Sequence, residues 1–208
     1  MWRIFDMLFP PRVDEMILRD IAGDDFLRHL SPRLVPVTRP GTVALSPFSE
    51  AAVRAAVHEA KYHGTGRAFD LLARSLADYL RDADEQAHTI VIIPIPLGQA
   101  RRNERGFNQS EEIARRALRL LSEEGAHGFA LETGLLVRTR ETASQVSLQR
   151  REREENMRGA FGAAHPANPA HLYIIIDDVV TTGATLQAAV DALREAGAVH
   201  IVPLALAH

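Results

Sequence analysis

Two stretches of this chain, TIVIIPIP at 89–96 and LYIII at 172–176, are almost unbroken apolar runs. A strand with one face in water alternates apolar and polar side chains, so a run without polar positions belongs to a strand covered on both faces. Strands of that kind sit in mostly parallel sheets with helices packed on either side. VHIVPLALA at 199–207 reads as a further strand, and GLLVRTR at 134–140 as a short one.

The segments between them carry helical spacing. Ser49 is a suitable N-cap for a helix that places Val53, Ala56, Val57 and Ala60 on one face and stops at Gly64. A second helix, about 66–81, aligns Phe69, Leu72, Leu76 and Leu80. The stretch 108–125 puts Ile113, Ala117, Leu118 and Leu121 inward, with Gly125 at its end, and 184–196 does the same with Leu186, Ala189, Val190 and Leu193. Gly64 and Gly66 form only G-T-G, which fits a turn between helices. Residues 14–30 have an apolar set (Met16, Ile17, Ile21, Phe26, Leu27, Leu30) suited to one helix or two, and the proline-bearing 31–45 reads as extended or loop chain. The expected organisation is an N-terminal extension over 1–45 and one α/β domain over 46–208. The polar, arginine-rich stretch 141–160 is expected to be a long loop, with a short helix about 149–157.

At 208 residues the chain can bury a sizeable core as one large domain with an appendage. Its net charge of −3 is not that of a protein built to coat nucleic acid or an anionic membrane. The absence of cysteine excludes disulfides and thiolate metal sites. The histidines, His29, His58 and His63 among them, show no paired-ligand spacing, so no zinc site is expected. The opening MWRIFDMLFP carries Arg3 and Asp6 and lacks a cleavage site, and no apolar run approaches the ~20 residues of a membrane-spanning helix. A cytoplasmic protein without membrane insertion is expected. The basic residues are nearly all arginine, and Lys61 is the sole lysine.

The run 172–176 ends on two adjacent acids, Asp177 and Asp178, followed by VVTTGATL. In open α/β sheets ligands bind beyond the carboxyl ends of strands, and phosphates sit at helix N-termini. The turn of Thr181, Thr182, Gly183, Ala184 and Thr185 supplies hydroxyls and backbone N–H groups for a phosphate, with Gly183 permitting close approach. Two carboxylates would repel that phosphate. They suit vicinal sugar hydroxyls or a hydrated Mg2+ beside it, because an ionised carboxylate only accepts hydrogen bonds. Phosphate-binding G-x-x-x-x-G-K-[ST], dinucleotide-binding G-x-G-x-x-G and nucleophile-elbow G-x-S-x-G patterns are all absent.

YIIIDDVVTTGAT resembles the phosphoribosyl pyrophosphate (PRPP) signature of the type I phosphoribosyltransferases. More narrowly, HEAKYHG (58–64), PIPLGQARRNERGFNQS (94–110) and LVRTRETASQVSLQRREREENMRGAF (136–161) resemble the competence protein F (ComF) family. In that family the fold is linked to uptake and processing of transforming DNA. The resemblance covers about 45–208, with FPPR as a trace before it. It implies a parallel-sheet phosphoribosyltransferase (glycosyltransferase-class) fold with a flexible hood loop, binding PRPP with Mg2+.

Carried over residue by residue, the resemblance assigns Asp177 and Asp178 to the ribose hydroxyls and the substrate-borne Mg2+, and 181–185 to the 5-phosphate. Pro96, Leu97 and Gly98 would bind pyrophosphate through backbone amides, with Arg101, Arg102 and Arg105 neutralising its charge. The arginine-rich 138–158 matches the hood loop that closes over the reacting centre and excludes water. Orotate-type relatives carry a lysine there that assists pyrophosphate departure. This chain has none, so Arg140 would substitute or the chemistry is weak. Arg150, Arg151 and Arg153 alternate with Glu152, Glu154 and Glu155 as on a solvated helix surface. Many ComF proteins also carry a cysteine-rich zinc module after an L-F-P-x-R segment. Here Leu8, Phe9, Pro10 and Arg12 remain, with no cysteine.

The implied partners are recombination or replication-restart proteins of competence. Single-stranded DNA is a weaker expectation, since only Phe107 and Phe129 are aromatic between 99 and 158. Against an enzyme of unknown acceptor stands a non-catalytic adaptor that uses the same fold.

Overall fold

The computed structural model describes residues 12–82, 89–140 and 155–208. Most of the arginine-rich stretch, 141–154, lies outside them, as do Leu8, Phe9 and Pro10. Six strands form one sheet in the order β1-β2-β8-β7-β3-β4. They are β1 (Arg33–Val35), β2 (Thr42–Ser46), β3 (Ile90–Pro94), β4 (Phe129–Leu131), β7 (Leu172–Val179) and β8 (His200–Ala207). Only the β1–β2 pair is antiparallel; β2–β8, β8–β7, β7–β3 and β3–β4 are parallel. The remaining strands, β5 (Leu136–Arg138) and β6 (Phe161–Ala163), form a separate antiparallel ribbon.

Helices among the described residues include α1 (Val13–Arg19), α2 (Gly23–Leu27), α3 (Ala51–His58), α4 (Gly66–Arg81), α5 (Gln99–Arg105), α6 (Gln109–Glu123) and α7 (Ala184–Glu195). A π-helical turn, Glu59–His63, continues α3. Period-two alternation along the strands divides the core in two. Ile92, Ile174, Ile176, Leu204 and Leu206 face a cluster with α3, α4 and α6. Val91, Ile93, Tyr173, Ile175 and Ala205 face a second cluster with α7 and the β5–β6 ribbon. The apolar runs are therefore strands with a core on each side, as their composition requires. Among the described residues, no helix is long and apolar enough to cross a membrane.

Several elements differ from expectation. GLLVRTR supplies β5, but that strand pairs with β6 outside the main sheet. Strands β1, β2 and β4 are short and flanked by proline or glycine, so their period is too brief to read. β2 nonetheless lies beside β8 with Ala44 and Leu45 fully buried, which carries the sheet into the stretch before residue 46. The segment after Gly98 is the short helix α5, which has no buried residue and hence no apolar stripe to betray it.

Ile175 lies on central strand β7 and is completely buried. Ile175→Ala should lower unfolding free energy by about 2–5 kcal/mol, read from urea denaturation as a lower midpoint at unchanged slope.

Candidate functional site

Strands β3 and β7 are neighbours, so the chain leaving each one emerges at the same sheet edge. Residues 95–98 and 177–186 meet there and line a cavity of about 750 Å3. Asp177, Asp178, Pro96, Leu97, Gly98, Arg101, Arg105 and all of 181–185 line it. Arg102 does not line it, and neither does Arg140. Arg140 instead donates through Nη2 to the carbonyls of Asn156 and Arg158, at 2.9 and 2.7 Å. Arg138, two residues earlier, reaches the cavity wall and lies 5.3 Å from the Phe161 ring.

The turn into α7 is shaped by Gly183, whose φ of 77° is left-handed. A Cβ there would come within 2.6 Å of the Val37 carbonyl oxygen. Position 183 thus excludes a side chain for two reasons, conformation and contact. The Thr182 hydroxyl accepts from the Ala184 N–H at 3.4 Å.

The loop after β3 is braced from α6. Asn108 caps that helix by accepting from the N–H groups of Ser110 and Glu111, and its amide donates to the Ile95 carbonyl at 2.9 Å. The cap and the cavity loop are thereby one construction. Gln109, the next residue, donates Nε2 to Asp178 Oδ2 at 2.9 Å.

The two acids have different surroundings. Asp178 is 5% exposed; its Oδ1 accepts from the Val179 N–H, and its Oδ2 lies 2.9 Å from Lys61 Nζ. Asp177 is half-buried, and its Oδ1 accepts from the Asp178 N–H at 2.9 Å. Burial, and secondly the charge of Asp178, push the Asp177 carboxyl up to about 7, against the opposing pull of Lys61, the Asp178 N–H and Arg101. The pair is a neutral or half-titrated acid beside an ion-paired one, rather than two equal carboxylates.

Lys61 comes from the π turn. Gly64 ends that turn at φ 61°, and a Cβ there would meet the Phe107 ring at 2.8 Å. Phe107 in turn packs edge-on against Phe69. HEAKYHG and RGFNQ are therefore packed against each other, and each sends one donor to Asp178. Sequence reasoning marked Lys61 only as the sole lysine, which was the available signal, and did not single out Gln109.

The π turn has a second effect. It brings ligand atoms of His58, Glu59 and His63 within 4.8 Å of one another, at a spacing that an α-helical reading conceals. Glu59 is fully buried, and both its oxygens receive hydrogen bonds from Arg12, at 2.8 and 2.7 Å. Burial alone would raise the Glu59 carboxyl, but the Arg12 hydrogen bonds and charge, with His63 and His58, hold it below its ordinary value. Its oxygens are committed to a guanidinium, and the cluster reads as an ion-pair network that anchors Arg12.

No family model matches the chain. It is 38% identical over 109 residues to the DNA utilization protein YhgH of Salmonella typhi, across 51% of this chain and 44% of that protein. The Escherichia coli K12 protein of the same name is 36% identical over 107 residues, covering 51% and 44%. Competence protein F of Haemophilus influenzae is 32% identical over 132 residues, covering 61% and 55%. These similarities support a ComF-family assignment. The chain spans about half the length of the curated relatives it matches.

Asp177 gives the fold a pH dependence. Its folded-state value lies above the ordinary 3.8, at about 7. Between those values the native chain retains a proton that the unfolded chain has lost, so this group's stabilisation falls as pH rises through the window. Asp177→Asn should therefore melt higher than the parent at pH 8, with the gap closing by pH 4, as followed by circular dichroism. Removal of the brace is the complementary test. Asn108→Ala loses a helix cap and strands the Ile95 carbonyl, and should cost about 1–3 kcal/mol in denaturant titrations.

Proposed function

We propose that the cavity binds PRPP with Mg2+, and that the fold around it is of the type I phosphoribosyltransferase kind. The observation that carries this reading is the convergence of three features on one cavity: an acid pair at the end of β7, a threonine-glycine turn opening α7, and the Ile95–Gly98 loop with Arg101 and Arg105. The mostly parallel sheet is compatible with that fold.

In this reading the turn 181–185 takes the 5-phosphate, because N–H groups at a helix start and the threonine hydroxyls all donate to an anion. Asp177, with Asp178 behind it, takes the ribose hydroxyls. The loop 96–98 and the two arginines take the pyrophosphate. Mg2+ suits the donor set, since carboxylate and phosphate oxygens are hard ligands and a cation beside Asp177 would favour its ionised form. When bound, the ion would supply charge neutralisation for the departing pyrophosphate.

Transfer would break the bond between ribose C1 and the pyrophosphate oxygen, which leaves with the electron pair. A nitrogenous acceptor would form the new bond to C1 and release its proton. The names of the relatives, DNA utilization protein and competence protein F, support a role in the uptake and use of transforming DNA, alongside competence or recombination proteins.

One observation favours a second reading, a PRPP-responsive adaptor without turnover. Arg140, the candidate substitute for the missing loop lysine, is engaged with the carbonyls of Asn156 and Arg158.

Calorimetric titration with PRPP, with and without Mg2+, tests the shared ligand. Saturable heat is expected from the parent, and unchanged affinity in a doubly substituted Asp177→Asn, Asp178→Asn protein would refute the assignment. Pyrophosphate release in the presence of bases and amines then separates enzyme from adaptor. Gly183→Ala should abolish ribose 5-phosphate binding, because the added methyl strikes the Val37 carbonyl and displaces the turn.

A further inference from the structure

We propose that Lys61 is a pyrophosphate-contacting residue of this site, supplying from the π turn the ammonium that the arginine-rich loop lacks. The inference rests on the PRPP reading above and adds to it a residue from a different part of the chain.

Three observations lead there. Lys61 is the sole lysine in the chain, and it lines the cavity with its side chain only 26% exposed. Ordering and partly burying a long cationic side chain costs conformational entropy and hydration, so its placement needs a partner inside the site. Asp178 is one partner, at 2.9 Å. An ammonium carries three donors, and Asp178 Oδ2, which also receives Gln109, calls for only one of them.

The position of Lys61 selects the pyrophosphate end of the ligand. Asp178 Oδ2 joins Lys61 to Gln109, whose Oε1 accepts from Arg105 Nη1 at 3.1 Å. The Arg105 guanidinium lies 5.4 Å from the centre of the Tyr62 ring, and Tyr62 follows Lys61 in the turn. Lys61, Tyr62, Arg105 and Gln109 are thus linked by one chain of contacts through Asp178, and Arg105 shares helix α5 with Arg101. The 5-phosphate turn comes from the chain leading into α7. A pyrophosphate between the loop 96–98 and these residues would meet Lys61 as well as the arginines.

The π turn is what makes this arrangement available. An α-helix continued through Glu59–His63 would turn these residues by 100° each, whereas the wider turn re-aims the side chains that follow His58. Phe107 against Gly64 then fixes the turn relative to Gln109. An ammonium is a compact charge on a flexible stem, suited to keep one contact with Asp178 while donating to a phosphate oxygen.

The test is calorimetry with PRPP and Mg2+, and separately with ribose 5-phosphate, on the parent, Lys61→Gln and Lys61→Arg proteins. Lys61→Gln should weaken PRPP by about 10- to 100-fold, the range for one charge-assisted hydrogen bond, and leave ribose 5-phosphate within about threefold. Lys61→Arg should recover most of the PRPP affinity. Equal PRPP affinity in the parent and Lys61→Gln overturns the inference while the site reading stands. So does an equal loss of both ligands, since Lys61 would then act only by bracing Asp178. No heat from the parent with either ligand overturns the site reading itself, and the inference with it.

Discussion

A carboxylate 5% exposed at the end of a buried strand is the constraint around which this molecule is arranged. The burial of Asp178 calls for partners, since an unpaired buried charge costs several kcal/mol. Its Oδ2 meets Lys61 and Gln109, and its Oδ1 meets the Val179 N–H. Those contacts tie three distant segments to one point: the π turn after α3, the start of α6 and the end of β7. Asp177, next to it, lacks an equally close cation and shifts toward its protonated form. The asymmetry of the pair follows from the direction in which each side chain leaves the strand.

The sheet makes that arrangement affordable. β7 and β3 lie side by side with a core on each face, so the edge at which they end is anchored in packed strands even though the chain beyond it is irregular. Asn108 links helix α6 to the carbonyl of Ile95, and Gly183 seats the α7 turn against Val37. The cavity walls are thus extensions of the core. Backbone N–H groups, hydroxyls and arginines gathered there can all donate hydrogen bonds to an anion.

The architecture was legible where burial writes itself into composition. Ile90–Pro94 and Leu172–Val179 are strands because apolar runs of that length need two covered faces, and α4, α6 and α7 show their inward stripes. Elements that bury little escaped: α5 has no buried residue, and β4 has three half-buried ones. Of the site, the acids and the 181–185 turn were visible because they break an apolar run at a strand end and lead into a helix start. The pairing of Asp178 was not visible, since Lys61 is 117 residues away and sits in a turn whose hydrogen-bond register no local pattern announces.

Sequence alone determined the two-faced parallel sheet, the motif at the end of β7 and the kinship to competence protein F. Periodicity, residue type and local spacing are properties of neighbours along the chain. Tertiary structure decided which basic groups share the cavity. It brought Lys61, Arg101, Arg105 and Arg138 to its walls and directed Arg140 to backbone carbonyls. Charge pairing acts through space over a few ångströms, and only the folded chain brings those groups within that range.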